Sequence, residues 1–252
     1  MGEKNLNEYL RLFEGVPDNV RAGEASTSYL YSANAAREIR EVCPDAKIMM
    51  ILRDPVDRAY SHYWNHVRDG NEHLSFEEAL WDEAERIENR RWCGSYYVAG
   101  GRYAEQVARY LDVFGREAVK VYLFEDLKRD ARGVCWDAFS FLGVDPDVPI
   151  NTKEAYNRSG QPRSTQLSRF SYRLSKNEFV AKMLPVTLRH GAKEWLLKRN
   201  VRPAPKMDPR TRLRLQDAYR DDILCLGELI GRDLKHWLEQ PARPTPPGSA
   251  PK

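Results

Sequence analysis

Leu52-Arg53-Asp54-Pro55-Val56-Asp57-Arg58-Ala59-Tyr60-Ser61-His62-Tyr63 joins a short apolar run to an amphipathic segment. The run before it, Lys47-Ile48-Met49-Met50-Ile51-Leu52, is too short for a core helix and reads as a buried strand. Asp54 then has the chemistry of an N-cap and Pro55 that of a first helical residue. Val56, Ala59, Tyr60, Tyr63, Trp64 and Val67 recur at helical spacing, and Gly70 closes the segment. Twelve residues therefore encode a strand end, a capped turn and a helix start. An arginine at a strand terminus beside a helix start is well placed to hold a phosphate. Ser61 stands beside the apolar stripe rather than in it, six residues after Pro55, or about 9 Å of helical rise. The alternative is local: Arg53 pairs with Asp57, and Ser61 bonds back to its own helix.

Outward from this stretch the same rhythm continues. Val119-Lys120-Val121-Tyr122-Leu123-Phe124 reads as a second buried strand ending in the turn-forming Glu125-Asp126, and a weaker third strand is expected near Val20 to Gly23. Ser75-Phe76-Glu77-Glu78 is a capping box opening a helix. Tyr103, Val107, Tyr110, Leu111 and Phe114 form one stripe that Gly115 ends. A helix after Asp130 is expected to turn Trp136, Phe139 and Leu142 inward, with Gly143 behind it. Asp208-Pro209 opens a last helix through Leu215, Tyr219, Ile223, Leu226 and Ile230. Strands separated by helices predict an α/β fold, a parallel sheet flanked by helices, with ligands beyond the carboxyl ends of the strands. Two or three strands make a thin sheet for this length.

The chain has 252 residues, 42% hydrophobic and 31% charged, which is globular composition. No run of eighteen apolar residues occurs, so no spanning helix is expected. Met1 to Asn5 carries no apolar leader core, and the expected location is cytoplasmic. Cys43, Cys93, Cys135 and Cys225 are scattered, which suits buried reduced thiols better than zinc or disulfides. The six tryptophans read mostly as core. From Pro241 the chain becomes a proline-rich tail expected to be disordered, leaving residues 1–240 as the folded domain.

The formal charge is +3, but from Arg158 to Arg214 there are fifteen Lys/Arg against three Asp/Glu. That bias suits solvated helix faces, an anionic nucleotide or an anionic acceptor. It would suit nucleic acid or an anionic membrane surface too, but no nucleic-acid module signature accompanies it and no nucleic-acid partner is expected. His62 and His66 stand four apart on one helical face without a third ligand, so the expectation is surface or aromatic-stacking histidines and no metal, with a contact to acceptor or nucleotide open to His62. Glu24 is a candidate carboxylate base, or a salt-bridge partner.

The string LRDPVDRAYSHY closely resembles the 3′-phosphate-binding motif of sulfotransferases that use 3′-phosphoadenosine-5′-phosphosulfate. It is most similar to the heparan-sulfate-type enzymes and their bacterial relatives. The resemblance implies that Arg53 and Ser61 grip the 3′-phosphate of this co-substrate. Gly23-Glu24-Ala25-Ser26-Thr27-Ser28-Tyr29-Leu30 resembles the family's G-E-x-S-P-x-Y-L segment, with Thr27 where proline is common. Gly101-Arg102-Tyr103 through Phe114, followed by Phe124-Glu125-Asp126-Leu127, resembles its helix-then-strand block. Asn157-Arg158-Ser159-Gly160-Gln161-Pro162-Arg163 resembles its late basic loop, which implies that Arg158, Ser159 and Gly160 close over the nucleotide. The ending from Leu229 to Leu238 is typical as well, so the resemblance runs from about Leu6 to Leu238. The first motif is quite specific; the others are individually weak but fall in the family's order.

One part of the family pattern is not found. No G-x-x-[KR]-x-G-T-[ST] loop, which cradles the 5′-phosphosulfate with backbone N–H groups and a cation, occurs in the sequence. Gly100-Gly101 is followed by Arg-Tyr. The expectation is a P-loop-type sulfotransferase fold that starts beyond that loop, N-terminally incomplete, with no assignable catalytic residue. The implied activity is transfer of a sulfuryl group to a hydroxyl or amine on an anionic or hydroxyl-bearing acceptor such as a glycan. The alternative is a non-catalytic remnant that binds the nucleotide or a polyanion.

Overall fold

The computed structural model describes residues 8–17, 19–89, 95–152, 160–164 and 201–239. In chain order its elements are α1 (Thr27–Tyr31), α2 (Ala35–Val42), β1 (Ile48–Leu52), α3 (Pro55–Asp69), α4 (Phe76–Glu88), α5 (Tyr103–Phe114), β2 (Val119–Leu123), α6 (Phe124–Arg129), α7 (Ala131–Leu142), β3 (Gln161–Pro162), β4 (Val201–Arg202) and α8 (Pro209–Ile230). The chain divides into two compact units, Met1–Leu52 with Tyr110–Glu154 and Arg53–Arg109 with Ala155–Lys252.

The first unit carries the parallel pair β1–β2, in register from Ile48 opposite Val119 to Leu52 opposite Leu123. Parallel neighbours require a long crossover, and the chain supplies three helices between these two strands. The α/β expectation is met. β1 is only half buried: Met50 and Leu52 are inside, while Met49 and Ile51 alternate outward. β2 runs directly into α6, so Glu125 and Asp126 lie in a helical first turn rather than in an open turn. α7 is tied to β2 by Asp137, which accepts from Lys120 Nζ at 3.0 Å and Tyr122 Oη at 2.7 Å. Residues 21–26 are not a strand, which corrects the third-strand expectation. α7 also buries none of its side chains fully, and Trp136 is half exposed, contrary to the inward stripe expected there. Cys43 and Cys225 are exposed, not buried thiols.

The second unit is built on α3, α4, the start of α5 and α8. Its core includes Val56, Ala59, Tyr63, Phe76, Ala79, Tyr97, Tyr103, Leu215, Tyr219, Ile223 and Leu226. Local chemistry sets the helix ends. Asp54 caps α3 and Gly70 ends it at φ 78°, a left-handed conformation that glycine adopts without steric cost. Ser75 and Glu78 complete the expected capping box of α4. Asp208 caps α8 ahead of Pro209. β3 and β4 form a two-residue antiparallel bridge. Of the tryptophans, Trp64 and Trp237 are buried, but Trp81 on α4 is exposed under the Arg214 guanidinium. No helix among the described residues is long and apolar enough to cross a membrane.

Candidate functional site

The site is assembled around the first two turns of α3, in the second unit. Asp54 accepts from the amides of Val56 (2.8 Å) and Asp57 (3.0 Å). Those are the N–H groups a helix terminus would otherwise offer to an anion, so they are already occupied. Burial pushes the Asp54 carboxyl above its ordinary range, and the Asp57 amide only partly offsets this. An anion held at this helix must therefore be held by side chains.

Asp57 and Ser61 stand four residues apart on α3, neighbours along one helix face, and Arg53 precedes the Asp54 cap four residues before Asp57. The Arg53 guanidinium reaches forward to Asp57, with Nη2 3.8 Å from Oδ2 and a third of its side chain exposed. Ser61 is half-buried one turn further on. The structure places Arg53 just before the Asp54 cap and Ser61 in the second turn of α3, and includes the Arg53–Asp57 pairing that the sequence offered as the local alternative. It adds a residue the sequence did not single out. Arg212, from the first turns of α8, donates through Nη2 to Asp57 Oδ1 at 2.5 Å. The two residues are 155 positions apart, so no local pattern pairs them; only the Lys/Arg excess hinted at Arg212.

A second four-residue pair, Arg58 and His62, lies beside the first. Arg58 donates to the Tyr97 carbonyl, and its Nη1 is 3.2 Å from His62 Nδ1. Burial, the Arg58 charge and His66 together bring the His62 pKa down to about 3. His62 is therefore neutral near pH 7. Because a guanidinium only donates, Nδ1 is the acceptor and the ring proton sits on Nε2. The His62 and His66 rings meet edge to face at 4.6 Å and both pack against Tyr97.

The segment from Tyr97 to Gly101 closes against this helix. The Glu83 carboxylate accepts from the Val98 and Ala99 amides, both at 2.7 Å. The Tyr219 hydroxyl lies 3.2 and 3.0 Å from the carbonyls of Tyr97 and Val98. Gly100 and Gly101 are close-approach residues: a Cβ on Gly101 would fall 2.7 Å from Tyr219 Oη and 3.1 Å from Pro55 Cβ. Asp222 caps the start of α5 by accepting from the Tyr103 and Ala104 amides at 2.8 and 3.2 Å. Tyr103 beneath it is buried, which raises its pKa to about 12 against the opposing pull of Arg58 and the Arg53 backbone. Glu83 and Asp222 position this site, and sequence reasoning missed both, because each acts on amides far away in the chain.

Gly160 belongs to the same unit, where it leads into β3. A Cβ there would meet the Arg202 carbonyl at 2.5 Å, so β4's close approach alone demands glycine. Arg158 and Ser159 lie outside the described residues, as do most of the basic stretch and the proline-rich tail. Glu24 belongs to the other unit, is exposed, and interacts with Tyr29, whose pKa burial and then Glu24 raise to about 12.

Comparison with known proteins places this geometry in context. The family model described as a sulfotransferase domain matches residues 37–225. The chain is 28% identical over 251 residues to the bifunctional heparan sulfate N-deacetylase/N-sulfotransferase 4 of Mus musculus, covering 94% of this chain and 26% of that protein. It is 26% identical over 247 residues to the corresponding enzyme 1 of Homo sapiens, covering 94% of this chain and 25% of that protein. The chain thus spans about a quarter of the length of these curated relatives. The crystal structure of a sulfotransferase from Alicyclobacillus acidocaldarius superposes with a TM-score of 0.70 at 36% identity, over 92% of this chain and 74% of that one. With the match extending over residues 37–225 and taking in α3 whole, the chain belongs to the sulfotransferase family.

Proposed function

We propose that this protein binds the 3′-phosphoadenosine part of 3′-phosphoadenosine-5′-phosphosulfate and serves sulfuryl transfer to a hydroxyl or amine of an anionic glycan. In that reaction the sulfur–oxygen bond to the donor's 5′-phosphate breaks. A bond to the acceptor oxygen or nitrogen forms, and adenosine 3′,5′-bisphosphate leaves with the acceptor's proton lost to solvent or a base. Such transfers depend on positioning and charge neutralisation. Arg53 would pair with the 3′-phosphate and Ser61 would donate its hydroxyl.

The observation that carries this reading is the Arg53–Asp57 ion pair at the start of α3, one turn ahead of Ser61, with a second guanidinium, Arg212, arriving from α8. These residues fit a phosphate: Arg53 supplies a cation and Ser61 a hydroxyl where the helix-terminal amides are already taken by Asp54, and Arg212 offsets the Asp57 carboxylate. Gly160, with Arg158 and Ser159 before it, would close over the nucleotide. The glycan acceptor is supported by the similarity to heparan sulfate N-deacetylase/N-sulfotransferases and by the Lys/Arg excess from Arg158 to Arg214.

Calorimetric titration with adenosine 3′,5′-bisphosphate and adenosine 5′-monophosphate tests the proposal. The bisphosphate is expected to bind at least about tenfold more tightly, a charge-assisted contact being worth roughly 1.5–3 kcal/mol. Arg53→Ala is expected to remove that preference. Equal affinities in the unmodified protein would refute the assignment. Sulfuryl transfer is read separately, by donor consumption with and without a heparan-type glycan.

A further inference from the structure

A carboxylate stands in the middle of the proposed phosphate site. Asp57 is four residues from Arg53 and four from Ser61, so any dianion spanning those two residues passes next to it. Like charges within about 4–6 Å disfavour each other strongly. Asp57 would also compete with the phosphate for the Arg53 guanidinium. Left alone, Arg53 and Asp57 sum to no net charge.

Arg212 changes this balance. Its Nη2 is 2.5 Å from Asp57 Oδ1, whereas Arg53 stands off at 3.8 Å from Oδ2, too far for a hydrogen bond. Asp57 therefore gives its shorter contact to α8. Arg212 is also set in place beforehand. The Asp208 cap accepts from the Arg210 and Thr211 amides at 2.8 and 3.2 Å, and the Thr211 hydroxyl donates to Glu77 on α4 at 2.9 Å. Only about a fifth of the Arg212 side chain is exposed.

We infer that Arg212 is a positioning residue that neutralises Asp57, so that Arg53 and Ser61 accept a nucleotide 3′-phosphate. Arg212 acts through Asp57 rather than by touching the ligand. Its contribution is to specificity: it separates 3′-phosphorylated adenosine nucleotides from those without that phosphate. The inference rests on the phosphate-binding reading of Arg53 and Ser61.

The test is a double-mutant cycle on the full chain, titrated with adenosine 3′,5′-bisphosphate and adenosine 5′-monophosphate. Arg212→Gln is expected to reduce the preference for the bisphosphate about tenfold, with monophosphate affinity moving far less. Asp57→Asn in that background is expected to restore most of the preference, because the uncompensated carboxylate is gone. Arg212→Lys, which keeps the charge, is expected to retain most of it. Asp57→Asn alone is expected to tighten bisphosphate binding. A structural role for Arg212 would not be rescued by Asp57→Asn, and absence of that rescue overturns the inference. So does an Arg212→Gln protein with unchanged preference. Equal binding of the two nucleotides by the unmodified chain overturns the phosphate-site reading itself, a distinct failure seen before any variant is made.

Discussion

Glu72 and Arg86 form a two-pronged ion pair almost sealed from solvent, with Nη1 2.7 Å from Oε2 and Nη2 3.3 Å from Oε1 and only 5% and 8% of the two side chains exposed. The carboxylate is satisfied on every side: Tyr97 donates its hydroxyl at 2.8 Å, and the amides of His73 and Leu74 lie at 2.9 and 3.2 Å. Arg86 turns its Nε to Asp82 at 2.5 Å. One buried carboxylate thus ties the α3–α4 connection to α4 and to Tyr97, the residue whose carbonyl receives Arg58. The candidate site rests on this network, although none of its members is expected to touch a ligand.

Removing one partner leaves the other charge buried and uncompensated, which costs about 3–5 kcal/mol. Glu72→Gln is therefore expected to lower unfolding free energy by roughly 3 kcal/mol. Burial by itself would raise the Glu72 pKa, but Arg86, Tyr97 and the two amides outweigh it and hold the carboxyl below its ordinary value. Its stabilisation is thus present above the ordinary carboxylate pKa and lost as pH falls through the folded value. Urea titrations of both proteins at pH 7 and at pH 3 give the answer. The gap between them should be smaller at the lower pH, and a pH 7 difference under about 1 kcal/mol would show that the pair is not coupled to folding.

His62 contributes a pH dependence at higher pH. Its folded pKa of about 3 is well below the ordinary 6.5, so between those values the unfolded chain binds the extra proton. Stability should rise with pH across that window by about 1.4 kcal/mol per unit for this residue. His66, also lowered by burial, acts in the same direction. From pH 7 to pH 5 the unmodified protein is expected to lose stability, and His62→Gln to lose about 2 kcal/mol less. Parallel pH profiles for the two proteins would contradict the neutral state assigned to this half-buried ring.

The parts of this architecture that the sequence made legible are those set by neighbours in the chain. Asp54, Pro55 and Gly70 bound α3, Ser75 and Glu78 open α4, and Asp208 with Pro209 opens α8, each through contacts within a few residues. The four-residue spacing of Arg53, Asp57 and Ser61 is legible for the same reason. What escaped depends on chain closure. Asp222 reaches Tyr103 across 119 residues and Arg212 reaches Asp57 across 155, and neither pairing leaves a periodic trace. Burial was misjudged where an apolar pattern meets little cover. Trp136 in α7 and Ile51 in β1 carry the hydrophobicity of core residues and stand at 50% and 55% exposed. Gly100-Gly101 is a third kind of miss: a pair weighed only as a phosphate loop is instead required by how closely Arg58, Tyr219 and Pro55 approach it.

That explanation of the glycine pair gives effects of opposite sign at two glycines. At Gly101 a methyl group would sit 2.7 Å from Tyr219 Oη, 3.0 Å from Tyr219 Cζ and 3.1 Å from Pro55 Cβ. The tyrosine cannot swing aside cheaply, because its hydroxyl is held by the carbonyls of Tyr97 and Val98. Overpacking of this kind costs about 1–3 kcal/mol. At Gly23 nothing lies within 4 Å of the same added carbon. There alanine mainly restricts the unfolded chain, a stabilisation of about 0.4–1 kcal/mol. Gly101→Ala should therefore lower the urea midpoint while Gly23→Ala leaves it unchanged or raises it. Gly101→Ala should also weaken nucleotide binding, since displacing Tyr219 and Pro55 disturbs the first turn of α3, which carries Asp57 and directly follows Arg53 and Asp54. If Gly101→Ala is as stable as the unmodified chain, the tight seat of this segment on α3 is wrong, and with it the route by which Glu83 and Tyr219 hold the candidate site in shape.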